Sequence, residues 1–351
     1  MQYYAPLFQL MAKQQDIKVF YAPKSSENKF DKGFGRNISW DVPLLEGYNY
    51  AFSHRLIDIH EYLPTAILIY GWAYSSHLKI IFHFSRKSTL LFRGDSTLLD
   101  PINGWRATLK FYLLKQIYAR IDFALYVGSN NKAYFEKYGL TTAQLIYARH
   151  AVDNARFAAP RQLEVSKLRT SLGIADTDIV VLFTGKLIHK KQPDLLLKAF
   201  GNLNIPCTHL LLVGDGILGE TLKRNARVLP NQHAIHFLPF QNQHRMPVIY
   251  QSCDLFCMPS AGPGETWGLA INEAMAARKA ILASDKVGGA ADLIDDNNGQ
   301  KFSSGCLEDL SKKLRIMLAN KRKLQVMGQA SGEKVENWNF QHQINAIHGV
   351  S

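Results

Sequence analysis

Two carboxylates, Glu265 and Glu273, stand in residues 258–277 with seven residues between them. A short apolar run before this stretch predicts a strand, and the alanine-rich run at 268–277 predicts a helix. Glu265 therefore lies in a strand-to-helix loop, and Glu273 lies about a turn and a half into the helix. The two side chains cannot share one helical face, so we expect them to contact different parts of an extended ligand.

The start of the predicted helix, near Gly268, is suited to an anion. The first amide N–H groups of a helix have no partner within it, and the positive end of the helix dipole lies there. A diphosphate is a natural ligand for such a helix start. One carboxylate can then reach a sugar and the other a ribose, which together indicate a sugar nucleotide.

Residues 258–277 resemble the E-x7-E signature of the retaining glycosyltransferases of family 4, which have the GT-B fold. Residues 183–200, which read FTGKLIHKKQPDLLLKAF, are similar to the family's G-R-L-x-x-x-K element. Gly185 keeps its place in that element, Lys186 stands where arginine is usual, and Lys191 is the second basic residue. Further stretches follow in the family's order at 211–216, 236–250 and 283–289. The resemblance is strong in the second half of the chain and weaker in the first.

The resemblance implies a hexosyltransferase that retains anomeric configuration. The sugar would come from a nucleotide-diphosphate donor, a UDP- or GDP-sugar, and go to a hydroxyl of a saccharide or lipid-linked acceptor in surface glycan synthesis. In such enzymes the acceptor approaches the face that the diphosphate leaves, so no covalent nucleophile is needed, and no cofactor or metal is expected. The protein stabilises the charge that grows on the phosphates and positions both substrates.

The same analogy gives roles to individual residues. Glu265 would hold the donor sugar and Glu273 the ribose, while Lys186 and Lys191 would stabilise the diphosphate. Lysine at 186 keeps the charge but loses the bidentate geometry of arginine. For Trp267, packing and stacking on a sugar both stay open. The other residues expected to bind the donor are Gly185, Gly216, Pro239, Phe240, Gln241, Thr266, Gly268 and Leu269.

Arg93 and Asp95 follow a predicted strand in the first half of the chain. Ligands of doubly wound sheets collect at the C-terminal ends of the strands, so this loop should face the ligand cleft. Both residues are therefore candidates for acceptor binding or catalysis, and a salt bridge between them is the alternative.

Short apolar runs alternate with helical stretches along the chain, which is typical of parallel α/β structure. The length of 351 residues suits two domains, and we expect two Rossmann-like doubly wound domains that face each other across a cleft. The predicted strands are 17–21, 66–70, 89–92, 123–128, 144–147, 179–184, 208–213, 234–237, 255–258 and 280–284. The predicted division is an acceptor domain at 1–155, a linker at 156–170, a nucleotide-sugar domain at 171–330, and a C-terminal helix at 331–351 that crosses back to the first domain.

Residues 1–20 predict a helix and then the second strand of a doubly wound unit, with nothing before them. The first domain is thus expected to lack its first strand. An alternative start, a truncated form and a natural variant all stay open.

Gly214, Gly216 and Gly219 spell G-x-G-x-x-G directly after a predicted strand. A dinucleotide site of that type needs an acidic residue about 20 positions later, at the end of the next strand. Residues 234–240 contain none, so the sequence argues against a dinucleotide fingerprint.

The net charge of +12 is spread over both halves of the chain. Such a surface can serve nucleic acid, anionic lipid or anionic substrates, but no nucleic-acid-binding pattern is present. Residues 105–120 predict a helix in which aromatic and aliphatic residues alternate with Arg106, Lys110, Lys115 and Arg120. It could lie on an anionic membrane surface, or it could pack on the first domain with a solvated basic face.

No apolar run approaches the ~20 residues that span a bilayer, and the N-terminus does not have the pattern of a signal peptide. We expect a cytoplasmic monomer or dimer, for which a peripheral position at the inner face of the membrane stays open. Cys253 and Cys257 lie in an apolar segment and predict buried free thiols.

Two rival functions stay open. A sugar-nucleotide epimerase on the same scaffold would act on the donor alone, and a non-catalytic relic would bind the nucleotide sugar without turnover.

Overall fold

The computed structural model describes residues 2–22, 29–31, 33–72, 74–101 and 103–350. The chain divides into two compact units. The first contains 1–27, 43–150 and 339–351, and the second contains 28–42 and 151–338. Two segments therefore lie apart from their neighbours in the chain: residues 29–31 and 33–42 pack in the second unit, and residues 339–350 pack in the first.

The strands of the described residues are β1 (Lys18–Tyr21), β2 (Lys29–Asp31), β3 (Arg36–Ile38), β4 (Asn49–Phe52), β5 (Ala66–Tyr70), β6 (Thr89–Arg93), β7 (Phe123–Tyr126), β8 (Leu145–Tyr147), β9 (Ile179–Thr184), β10 (Thr208–Val213), β11 (Ile235–Leu238), β12 (Leu255–Met258), β13 (Ala280–Ser284) and β14 (Gly299–Phe302). The helices are α1 (Ala5–Ala12), α2 (Leu56–Glu61), α3 (Ser75–Phe84), α4 (Trp105–Tyr118), α5 (Ser129–Lys137), α6 (Asn154–Ala158), α7 (Gln162–Ser171), α8 (Pro193–Gly201), α9 (Gly219–Ala226), α10 (Met246–Gln251), α11 (Leu269–Ala276), α12 (Ala290–Leu293), α13 (Leu307–Leu318), α14 (Lys321–Val335) and α15 (Phe340–His348).

The first unit contains a parallel four-stranded sheet in the order β5-β6-β7-β8. β1 and β4 form a separate parallel pair, and α15 packs beside α1. Residues 2–17 contain one helix and no strand. The core of this unit is aromatic, with Phe92, Tyr118 and Phe135 in mutual edge-to-face contact.

The second unit contains a parallel sheet in the order β11-β10-β9-β12-β13-β14. With β9 counted as the first strand, this is the 3-2-1-4-5-6 order of the Rossmann fold, and the chain reverses direction across the sheet between β9 and β12. β9, IVVLFT, and β13, AILAS, are almost wholly buried, as expected for strands with helices on both faces. The predicted doubly wound α/β fold is confirmed.

Five predicted strands agree with the structure at both ends: β5, β9, β10, β12 and β13. The strands that sequence reasoning missed are β2, β3, β4 and β14. Each has only three or four residues, and their alternation of polar and apolar residues is too short to be recognised.

The residues of the predicted linker, 156–170, lie mostly within α6 and α7 of the second unit. Gln251, from α10, holds the turn between these helices, since its side-chain amide donates to the carbonyl groups of Phe157 and Ala159. α14 packs on α11 and β13 in the second unit, and only α15 returns to the first.

Gly214 and Gly216 are required by close packing between two loops of the second unit. A Cβ at Gly214 would lie 1.9 Å from the carbonyl oxygen of Gly185, and one at Gly216 would lie 2.5 Å from that of Leu187. The φ angles of both glycines are also in the region that favours glycine. These contacts give a structural reason for the G-x-G pattern that needs no dinucleotide.

Cys253 and Cys257 are buried free thiols, as predicted, and burial raises the pKa of Cys253 to about 12. Within the described ranges, no helix is long and apolar enough to cross a membrane.

Candidate active site

The topology of the second sheet places two loops beside each other. β9 and β12 are neighbours at the point where the strand order reverses, and ligands of this fold bind outside the carboxyl ends of such strands. Gly185, Lys186 and Lys191 follow β9, and Glu265 follows β12. Residues that are about 75 positions apart in the sequence are thus brought to one edge of the sheet.

Glu265 and Lys191 form an ion pair across these loops. Lys191 Nζ lies 2.5 Å from Glu265 Oε2. The loop of Glu265 is fixed by backbone contacts, since its carbonyl oxygen accepts the amide of Gly288 at 2.9 Å. Lys190 Nζ also donates to the carbonyl of Gly264 at 2.7 Å. A buried carboxylate and a lysine are therefore positioned together at this edge of the sheet.

Glu273 is a buried carboxylate, only 3% exposed, within α11. The Tyr250 hydroxyl donates to its Oε2 at 2.7 Å, and the same hydroxyl lies 3.1 Å from Thr184 Oγ1 at the end of β9. Burial raises the pKa of Glu273 to about 7, although the Tyr250 bond and the charge of Arg156 act to lower it. Its Oε1 is buried and has no hydrogen-bond partner.

An unpartnered buried acceptor costs about 1–3 kcal/mol. Glu273 does not point to solvent, and its Oε1 keeps an unused capacity to accept a hydrogen bond.

Gly268 is the N-cap of α11 and has the left-handed conformation, with φ of 89°. A Cβ at this position would lie 2.7 Å from Val287 Cγ1, so both the backbone and the available space require glycine. Trp267 beside it is 3% exposed, and its Nε1 donates to Asn272 Oδ1 at 2.8 Å. Trp267 is thus packed inside the second unit, and its stacking on a sugar stays a prediction. Thr266 and Leu269 are partly exposed on either side.

Lys186 has a different partner from Lys191. Its Nζ lies 2.8 Å from Asp31 Oδ1 and 5.2 Å from the centroid of the Phe34 ring. Asp31 and Phe34 belong to the β2–β3 hairpin, which packs in the second unit.

Pro239, Phe240 and Gln241 follow β11 at the same edge of the sheet. The Phe240 amide donates to Asp215 Oδ2 at 3.2 Å, which ties the loop after β11 to the loop after β10. The Phe240 ring meets Phe34 edge-on, with ring centroids 4.9 Å apart. This part of the predicted site is therefore lined by aromatic side chains.

Arg93 and Asp95 lie in the first unit at the end of β6. Arg93 is 3% exposed, and its Nη1 donates to the carbonyl of Ala148 at 2.8 Å. Burial, and secondarily the charge of Arg93, lowers the pKa of His150 well below its ordinary value. Arg93 thus lies within the core at the carboxyl end of the sheet, while Asp95 is partly exposed.

Sequence reasoning missed Tyr250, Thr184 and the residues of the β2–β3 hairpin. Tyr250 lies in a short apolar helix, MPVIYQ, and apolar neighbours in the sequence predict that a tyrosine belongs to the core. The hairpin is separated from its partners by more than 150 residues. No local pattern signals either contact.

Across the part of the chain that the structure describes, no group of three or more His, Cys, Asp or Glu residues is arranged to hold a metal ion.

The two Rossmann-like α/β units with parallel sheets, and the position of this site at the strand ends, define the class: the chain has the GT-B fold. Residues 164–334 match the family model described as "Glycosyl transferases group 1".

A curated relative from Mycolicibacterium smegmatis is the GDP-mannose-dependent alpha-(1-6)-phosphatidylinositol monomannoside mannosyltransferase. It is 26% identical over 235 residues, which cover 65% of this chain and 61% of that protein. The chain spans about 40 to 60% of the length of the first curated relatives that it matches.

Two solved structures share the fold at low sequence identity. Sucrose-phosphate synthase (tll1590) from Thermosynechococcus elongatus has a TM-score of 0.70 and 18% identity, over 98% of this chain and 90% of that one. Anabaena Alr3699/HepE in complex with UDP has a TM-score of 0.68 and 20% identity, over 80% and 77% of the two chains.

Proposed function

We propose that this chain is a retaining glycosyltransferase of family 4, which moves a hexose from a nucleotide-diphosphate donor to a hydroxyl of a saccharide or lipid-linked acceptor. One observation carries the proposal. Two features lie together at the strand ends where this fold binds ligands: the buried Glu273, which has one unpartnered oxygen, and the Glu265–Lys191 pair. The similarity to a GDP-mannose-dependent enzyme and to a structure that holds UDP supports a GDP- or UDP-sugar as donor.

In this proposal the donor lies along the carboxyl edge of the second sheet. Ribose hydroxyls donate to Oε1 of Glu273, which satisfies a buried acceptor. The diphosphate lies by the start of α11 and between Lys186 and Lys191, where the helix dipole and both ammonium groups favour negative charge. Glu265 accepts hydroxyls of the transferred sugar.

The chemistry needs no nucleophile from the protein. The acceptor hydroxyl attacks the anomeric carbon on the face that the diphosphate leaves, and the departing phosphate oxygen takes the hydroxyl proton. Charge grows on the phosphate as the glycosidic bond breaks. A lysine fixed before the reaction stabilises that charge without reorganisation, which is the effect that lowers the barrier.

On the acceptor side we assign Asp95 to the acceptor-binding loop. We assign to Arg93 a positioning role within the core of the first unit. Arg93 fixes the end of β6 through its bond to the Ala148 carbonyl. Asp95→Asn should therefore raise the KM for the acceptor and leave the KM for the donor unchanged. Equal effects on both KM values would remove Asp95 from the acceptor site.

α4 supports an acceptor that is carried on a membrane. Trp105, Leu109, Tyr112 and Leu113 recur at helical spacing and are each at least half exposed. Residues 105–120 contain no acidic residue, and they place exposed Arg106 and Lys115 beside this apolar stripe. An apolar stripe flanked by cations suits an anionic lipid surface.

Lys110 is not part of the proposed membrane surface. It packs over the rings of Tyr134 and Tyr138, with its Nζ 5.3 and 5.7 Å from the ring centroids. Substitutions that test the surface should therefore spare Lys110.

Vesicles that contain phosphatidylserine test this surface. The double variant Leu109→Gln with Tyr112→Gln should bind them on the order of tenfold more weakly than the wild type. Val326→Gln, which changes an exposed apolar residue of the second unit, is the matched control. Equal binding by the wild type and the double variant would contradict the membrane assignment.

Calorimetric titration of UDP, GDP, ADP and their sugar conjugates tests the donor site, followed by product analysis with and without a saccharide acceptor. We expect one nucleotide to bind, Glu273→Ala to abolish binding, and transfer to require the acceptor. Conversion of the donor sugar without an acceptor would favour the epimerase, and binding without turnover would favour the relic. Absence of binding by every nucleotide would refute the proposal.

A further inference from the structure

Residues 29–31 and 33–42 pack in the second unit at the carboxyl edge of its sheet. β2 and β3 pair antiparallel, with Asp31 opposite Arg36. We call residues 29–31 and 33–42 the hairpin segment. It contacts the loops after β9, β10 and β11 through Lys186, Asp215 and Phe240, which are the loops of the proposed donor site.

The hairpin segment is held there along its length. Arg36 Nη1 lies 3.3 Å from Asp215 Oδ2, and its guanidinium lies 5.4 Å from the centroid of the Phe240 ring. Towards the other end, Asn242 donates to the Ser39 carbonyl at 2.6 Å. These contacts fix the position of the hairpin turn relative to the sheet.

The turn presents a carboxylate to Lys186. Asp31 Oδ1 accepts the amides of Gly33 and Phe34 at 2.8 and 3.2 Å and lies 2.8 Å from Lys186 Nζ. Burial acts to raise the pKa of Asp31, but the bonds from Lys186 and the two amides lower it below its ordinary value. The stem of Lys186 lies against the turn, because a Cβ at Gly33 would be 2.5 Å from Lys186 Cδ.

We propose that Asp31 competes with the donor diphosphate for Lys186, so that the hairpin segment lowers donor affinity and assists release of the nucleotide product. This inference rests on the proposed function, in which Lys186 contacts the diphosphate. A carboxylate and a phosphate offer the same anionic oxygens to an ammonium, and two anions at one ammonium repel each other. Binding of the diphosphate therefore weakens the Asp31 contact.

The size of the effect follows from exposure. The side chains of Lys186 and Asp31 are 33% and 30% exposed, and ion pairs near the surface contribute little because water screens them. Removing the competing carboxylate should strengthen binding of the nucleoside diphosphate by about 1.5- to 5-fold.

Asp31→Asn is the test variant, because asparagine keeps an oxygen that accepts the amides of Gly33 and Phe34. Asp41→Asn is the matched control: it removes a carboxylate from the same segment, but one whose partner is His244 rather than a lysine. Titration with UDP and GDP should give tighter binding for Asp31→Asn and unchanged binding for Asp41→Asn. Equal thermal unfolding midpoints would show that both variants are folded.

Lys186→Met completes a double-mutant cycle. In that background Asp31→Asn should no longer change the affinity, since the lysine for which it competes is absent. The inference is overturned if Asp31→Asn binds the diphosphate equally or more weakly, if Asp41→Asn strengthens binding as much, or if the gain persists without Lys186. Binding that is lost in Glu273→Ala but unaffected by Asp31→Asn would refute this inference alone, whereas no binding by any form would refute the proposed function with it.

Discussion

Replacing Glu273 with glutamine should change how the stability of the second unit depends on pH. The pKa of Glu273 is raised from 4.5 to about 7 because the carboxyl is buried. The folded state therefore holds a proton that the unfolded state has released between these two values. The stability that this carboxyl contributes is fully present below pH 4.5 and is lost as the pH rises through 7.

The magnitude follows from the shift. Each pKa unit corresponds to 1.36 kcal/mol, so ionisation of Glu273 should lower the unfolding free energy by about 3 kcal/mol between pH 4.5 and pH 8. Glutamine at 273 cannot ionise and keeps an oxygen that accepts the Tyr250 hydroxyl. The difference in unfolding free energy, variant minus wild type, should therefore rise by about 3 kcal/mol over this range.

Urea unfolding at a series of pH values measures the difference, and hydrogen exchange in peptides from α11 assigns the transition to the second unit. Glu220→Gln is the control. The Lys223 hydrogen bond lowers the pKa of this exposed carboxyl, so its difference should change only below pH 4.5, in the opposite direction, and stay nearly flat between pH 4.5 and pH 8. A difference for Glu273→Gln that stays constant with pH would refute the reasoning, because it would mean that burial does not govern the ionisation of Glu273.

Three further predictions concern other parts of the second unit. Tyr250→Phe should lower the unfolding free energy by about 1–3 kcal/mol above pH 7, since the ionised Glu273 loses its hydroxyl donor; an unchanged urea midpoint at pH 8 would contradict this. Gly214→Ala should lower the melting temperature by several degrees or prevent folding, because its Cβ would lie 1.9 Å from the Gly185 carbonyl oxygen; a fully stable variant would show that the two loops can separate at little cost. Burial lowers the pKa of His236 to about 4, so the unfolded state binds its proton first and stability falls as the pH drops from 6.5 to 4. His236→Gln should reduce that acid-induced loss by no more than about 2 kcal/mol after screening by solvent, measured as the change in unfolding free energy between pH 7 and pH 4.5.

Much of the secondary structure of the second unit was predictable because the sequence features that specify it are local. Buried parallel strands such as β9 and β13 are continuous apolar runs, and such runs are visible in any window of the sequence. The loop of Glu265 and the helix start at Gly268 were also visible, because a strand, a glycine-rich turn and a helix follow one another directly. These local features indicated the fold class and the residues most suited to bind a ligand.

Only the tertiary structure decided which residues face one another. The contact of Tyr250 with Glu273 and the raised pKa of that carboxyl depend on burial, which arises when α10 and α11 pack in the same unit. The pairing of Lys186 with Asp31 joins residues more than 150 positions apart, and no local preference specifies it.

The sequence by itself thus determined the parallel α/β fold class, most strands of the two main sheets and a set of charged residues at strand ends. The reason is that secondary structure and strand-end position follow from hydrophobic periodicity and glycine placement. The partners of those charges, and with them the ionisation of Glu273 and the competition proposed for Lys186, were decided by the fold, because burial and distance between remote residues exist only once the chain has packed.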